Sequence, residues 1–185
     1  CDYDPSSSPG GNVYQYIKSD GTSTGRTDTS GTRSTLYAWW VKPLTLSKYA
    51  SGATAGKLTT LNALKGAPLG YRCKTTAATE NEIRAKFPDS AITISGWAPA
   101  YANWTFDGYY DAYNGTTCYL TSAGAGSSAV PKDIGSTIYA KWTRSVTLDK
   151  QEGAGGSGSA TYVYGGGCEN VTAPTLNGWT LLGYC

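Results

Sequence analysis

Histidine and methionine are absent from the 185 residues, phenylalanine occurs only twice, and charged side chains make up 15% of the chain. Without histidine there is no ordinary base to activate a serine or cysteine nucleophile. The cysteines stand tens of residues apart with no Cys-x-x-Cys pair, so no zinc site is expected either. A net charge of +2 is too small to imply a nucleic-acid or membrane-surface partner. No apolar run approaches the roughly eighteen residues of a spanning helix. Gly153–Gly158 lacks the Gly-Lys-Ser/Thr ending of a phosphate loop and reads as a turn. Asp107 and Asp111 flank a turn and do not read as a glycosidase pair. Asp2, Asp4 and Asn12 lack the closing glutamate of a calcium loop. No catalytic residue, metal or cofactor is expected, and the chain does not read as an enzyme.

What remains is a tyrosine- and glycine-rich chain, with fifteen Tyr, six Trp and 24 Gly. That is the composition of an extracellular or cell-surface β-protein. Five cysteines fit an oxidising compartment, and their odd number leaves at least one unpaired or bonded to another chain. Cys73 and Cys118 are the expected pair within one module, while Cys1, Cys168 and Cys185 fall outside it. The chain opens on Cys1 with no initiator Met or leader, which reads as a processed product or a piece of a longer chain. Asn103, Asn114 and Asn170 begin Asn-x-Thr triplets, which matter only in a source that glycosylates them.

The informative stretch is Ser136-Thr137-Ile138-Tyr139-Ala140-Lys141-Trp142, followed by a polar spacer and Val146-Thr147-Leu148-Asp149-Lys150. It is written twice. Ser34-Thr35-Leu36-Tyr37-Ala38-Trp39-Trp40 and Leu44-Thr45-Leu46-Ser47-Lys48 stand 102 positions earlier. Ile138, Ala140 and Trp142 alternate, as do Leu36, Ala38 and Trp40, which predicts strands with one face on a core. Trp179-Thr180-Leu181-Leu182-Gly183-Tyr184 at the end likewise matches Trp104-Thr105-Phe106-Asp107-Gly108-Tyr109. Repeats of this kind set the fold. The layout is a rear half-module (1–42), a complete module with an insertion at about 49–96 (43–143), and a front half-module (144–185).

These phrases, with Gly178-Trp179-Thr180 and Thr137-Ile138-Tyr139-Ala140-Lys141-Trp142-Thr143, resemble the internalin-type B-repeat, also called the Listeria–Bacteroides repeat. The likeness covers most of 1–48 and 97–185 and fails across the insertion. It implies a small β-grasp-like module, used in tandem on bacterial surface proteins as stalk or adhesin, with no catalytic residues.

The expected fold class is therefore mainly β with one short helix. Val13–Ile17, Ala91–Trp97 and Ala160–Tyr164 read as strands; residues 101–111 are dense in aromatics, Tyr113-Asn114-Gly115-Thr116 is a hairpin turn, and Cys118-Tyr119-Leu120 opens the next strand. Thr79 and Glu82 form a capping box, and Ile83 and Phe87 an i,i+4 pair, so a helix is expected from Thr79 to Pro88. Trp40, Trp142, Trp104 and Trp179 are expected in cores. Trp39 stands where the other copy has Lys141 and faces outward with Tyr37, as the leading contact pair. The two half-modules each leave an unpaired edge, to be closed either within one chain, as in a circular permutant, or by the next copy; the head-to-tail contact is the expectation, because the resemblance implies linear arrays. It would bring Tyr162, Tyr164, Trp179 and Leu181 against Leu36, Tyr37, Ala38, Trp39 and Trp40 of a neighbour, with Cys185 near the neighbour's Cys1. The partner is then the protein itself or a neighbouring module of a longer chain. The alternative is a module binding glycans or a host receptor through exposed aromatics.

Overall fold

Strict alternation of small or aromatic apolar residues with polar ones dictates the longest element, β8 (Thr137–Thr147). Ile138, Ala140 and Trp142 are buried while the residues between them are not. The structure is a computed structural model that describes residues 12–13, 21, 40–66, 68–69, 72–73, 85–86, 92, 94–169 and 171–185. The polar spacer expected after Trp142 does not interrupt the strand, which runs unbroken through Thr143-Arg144-Ser145 to Thr147. It continues because each half of β8 has its own partners to take up the backbone N–H and C=O groups.

Before β8 come β1 (Asn12–Val13), β2 (Val41–Ser47), β3 (Thr60–Leu64), β4 (Arg72–Cys73), β5 (Ala85–Lys86), β6 (Thr105–Tyr110) and β7 (Cys118–Thr121). After it come β9 (Ser159–Val163) and β10 (Cys168–Glu169). A mixed seven-stranded sheet has the path β10-β9-β8-β2-β3, with β6 joined to β8 and β7 to β6. β1, β5 and β4 form a separate three-stranded antiparallel sheet.

The N-terminal half of β8 lies parallel to β2, with Thr45 opposite Thr137, and antiparallel to β6, with Thr105 opposite Thr143. Its C-terminal half forms a hairpin with β9, with Val146 opposite Ala160. Hydrogen-bond parity sorts these partners onto two edges. Ser136 O accepts from Thr45 N–H, and Trp142 O accepts from Tyr164 N–H, so even-numbered residues face β2 and then β9. Odd-numbered residues face β6. Pro43 lies within β2 opposite Asn62, and the same parity turns its missing N–H away from β3.

Leu44 and Leu46 of β2 pack with Ile138, Ala140 and Trp142, and Tyr109, Leu120, Leu69 and Val130 close the core. Trp97 is buried edge-on to Phe106, at 5.8 Å between ring centres. Leu148, Ala160 and Val163 are also buried, but outside this cluster, at the far end of β8.

Three expectations are corrected. No helix occurs among the described residues, and Ala85–Lys86, inside the expected helix, pairs with β1 on one side and β4 on the other. A local capping box and one i,i+4 pair are weak beside ladder bonds on both edges; Thr79 to Arg84 and Phe87 lie outside the described residues. Ile92 and Ile94 are not in a strand: Ile92 N–H donates to Gly124 O of a loop, and a turn begins at Ser95. Of the expected strand from Val13, only Val13 lies within the described residues, paired with Ala85. The third correction concerns tryptophan. Trp142 is 1% exposed and Trp104 half-buried, but Trp40 is 67% and Trp179 78% exposed. Trp40 precedes the first paired residue of β2, and Trp179 lies in a segment that no strand covers among the described residues.

Trp142→Ala should cost about 3–5 kcal/mol, because it empties the centre of the core. Lys141, on the other face, rests over the Tyr110 ring at 5.0 Å and lies 3.8 Å from Glu169, so Lys141→Ala should cost under about 1 kcal/mol. Denaturant midpoints of the two variants check the face assignment, and equal losses would overturn it.

Candidate assembly interface

The duplicated phrases adopt the same local geometry at both places. Leu46 N–H donates to Thr59 O at 2.8 Å, and Leu148 N–H to Gly158 O at 3.0 Å. Tyr49 has φ 59° and its N–H reaches Ser47 Oγ; Gln151 has φ 51° and its N–H reaches Asp149 Oδ1. Further on, Thr54 bridges Ala100 as Ala154 bridges Thr175, and Tyr101 bridges Trp104 as Leu176 bridges Trp179. Asn103 and Gly178 share positive φ, at 64° and 78°, and Gly108 and Gly183 match at 149° and 146°.

The surroundings differ. In the first unit, Trp142 fills the space between these two segments. Its indole N–H donates to Lys48 O at 2.8 Å, and its ring meets Phe106 at 5.6 Å and Tyr101 at 5.7 Å. The corresponding place in the second unit is an open groove of about 290 Å³. Its lining includes Lys150, Leu176, Leu181 and Tyr184, the counterparts of Lys48, Tyr101, Phe106 and Tyr109. Tyr109 is 1% exposed and Tyr184 37%, while Leu181 is 46% exposed.

Among the described residues the sheet edge is open there too. Val146 bonds to β9 and Leu148 to Gly158 just before it, so Ser145 and Thr147 point the other way, past the end of β6 at Thr105. In the first unit the equivalent Thr45 N–H is taken by Ser136 O at 2.8 Å. No described strand takes that role for Thr147.

Of the expected contact residues, Leu36, Tyr37, Ala38 and Trp39 lie outside the described residues. Trp40, Trp179 and Leu181 are exposed. Tyr162 and Tyr164 are half-buried. Their rings pack on Trp104 at 5.9 and 5.3 Å, Arg144 sits 5.0 Å over the Trp104 ring, and β9 is bonded on both edges. Among the described residues the open edge is that of β8, while β9 lies between β8 and β10. Lys150, Leu176 and Tyr184 were missed, although their offsets from Lys48, Tyr101 and Tyr109 were there to find them.

Cys118, Cys168 and Cys185 carry free thiols, so the expected Cys73–Cys118 disulfide is not formed. Cys118 lies under the β6–β7 bulge, where burial pushes its thiol above its ordinary value. Nothing is described of the Cys73 side chain, and Cys1 lies outside the described residues. Asp107 accepts a 2.6 Å hydrogen bond from the Tyr110 hydroxyl, whose pKa is raised first by burial and then by that bond. Asp111 caps the backbone N–H of Ala112. The two carboxylates thus serve the hairpin. Asp2 and Asp4 lie outside the described residues. The chain matches no family model, no curated protein and no solved structure.

A Cβ at Gly108 would lie 2.6 Å from Leu120 O, whereas one at Gly183 would meet nothing within 4 Å. Both positions carry the same positive φ, so the backbone strain of alanine is common to both. Gly108→Ala should therefore destabilise by about 1–3 kcal/mol more than Gly183→Ala. Thermal unfolding of the two variants measures the difference, and equal effects would mean that both places are equally filled.

Proposed function

We propose that this chain is a structural subunit or segment of an extracellular repeat protein, a stalk, surface filament or adhesin, whose small modules complete one another head to tail. The observation that carries it is the double use of β8. Its first half closes a filled unit, and its second half opens a unit of the same local geometry whose groove and sheet edge no described residue covers. The order β3-β2-β8-β6-β7, with β2 and β8 parallel at the centre, supports a β-grasp-like module. The resemblance to internalin-type B-repeats supports the surface role and the limits 43–143 for the complete module. Half-modules at 1–42 and 144–185 then give a linear array. Among the described residues no helix is long and apolar enough to cross a membrane.

An uncovered edge beside exposed apolar side chains is costly for a free monomer and favours pairing with another chain. Sedimentation velocity across a concentration series, with reductant present, tests the reading. The expected result is an open-ended series of species growing with concentration and no added ligand. A single monomer at every concentration would reject it and leave the glycan- or receptor-binding alternative.

A further inference from the structure

Two complementary features stand at opposite ends of the chain. The groove beside Lys150 is the counterpart of the Trp142 socket, and it is empty of any described side chain. Trp40 is the counterpart of Trp142, 102 positions earlier, and it is 67% exposed. We infer that Trp40 of a second copy seats in this groove, beside the part of the β8 edge that no described strand covers. The inference rests on the head-to-tail reading and names its contact.

The contact follows from the filled unit, where the Trp142 indole N–H donates to Lys48 O. The Trp40 indole N–H donates to Lys150 O. That carbonyl already accepts from Gly153 N–H and keeps a second lone pair. Lys48 O accepts in the same double way, from Ala50 N–H and the Trp142 indole. Leu176 and Leu181 take the places of Tyr101 and Phe106 against the ring.

The occupant is a second copy because the chain's own Trp40 points the wrong way. β2 and β8 run parallel from the pair Thr45–Thr137. Trp40 lies before that pair and the groove lies beyond the far end of β8. At about 3.3 Å per residue their separation along the sheet is on the order of 50 Å. With the knob at one end and the socket at the other, the contact is heterologous and does not close on itself.

The test uses the full chain under reducing conditions, with two variants. Trp40→Ala removes the knob and Leu181→Arg blocks the socket; both side chains are well exposed, so thermal unfolding should be unchanged in dilute solution. Each variant alone should need at least about ten-fold higher concentration to associate than the unaltered chain. An equimolar mixture should give a one-to-one dimer, because each partner brings the half that the other lacks. If the unaltered chain assembles and both variants assemble equally well, this contact is wrong and the head-to-tail reading stands. If the unaltered chain stays monomeric throughout, both fall.

Discussion

The rest of the structure depends on how β8 spends its hydrogen bonds. Even-numbered residues give theirs to β2 and then to β9, while odd-numbered ones give theirs to β6 and then to no described strand. Because the side chains alternate too, Ile138, Ala140 and Trp142 fall together on the core face of the filled unit, and Leu148 is buried beyond them at the unfilled end. One strand thereby fixes the register of β2, β6 and β9 at once. A slip of one residue would expose Trp142 and misplace all three partners.

Filling and not filling the same geometry separates local from tertiary causes. The bridges, the positive-φ positions and the short side-chain bonds at 149 and 151 form in the uncovered unit as they do in the covered one. These features follow from nearby sequence. Burial does not. Tyr109 and Tyr184 occupy matching positions, yet only Tyr109 has Trp142 and the β7 hairpin around it. A tryptophan in the socket is what turns a set of correctly bent segments into a core.

The legible part of the sequence was what it states twice. The alternation in 136–142, the glycine-rich turn before β9 and the hairpin around Tyr113-Asn114-Gly115 lie where pattern and turn chemistry place them. The four tryptophans show the limit of that reasoning. Position in a repeat says which way a side chain faces within its module, and it does not say whether the module is complete. Trp40 and Trp179 stand at repeat positions that face a core in the other copy, yet both are exposed. The helix at 79–87 failed for another reason: its signals were local, and Ala85 and Lys86 found ladder partners distant in sequence. The continuity of β8 through Thr143-Arg144-Ser145 was hidden because a polar spacer reads as a turn unless strands on either side are known.

The central claim is that β8 closes one unit and stands open at the next. Residue-resolved amide exchange on the dilute, monomeric chain tests it most directly. Val146, bonded to β9, and Leu148, bonded to Gly158 just before it, should be protected, while Ser145 and Thr147 should exchange orders of magnitude faster. Raising the concentration should then slow Thr147 selectively. Uniform protection of all four amides in the monomer would show that the edge is already occupied, and the account would be wrong.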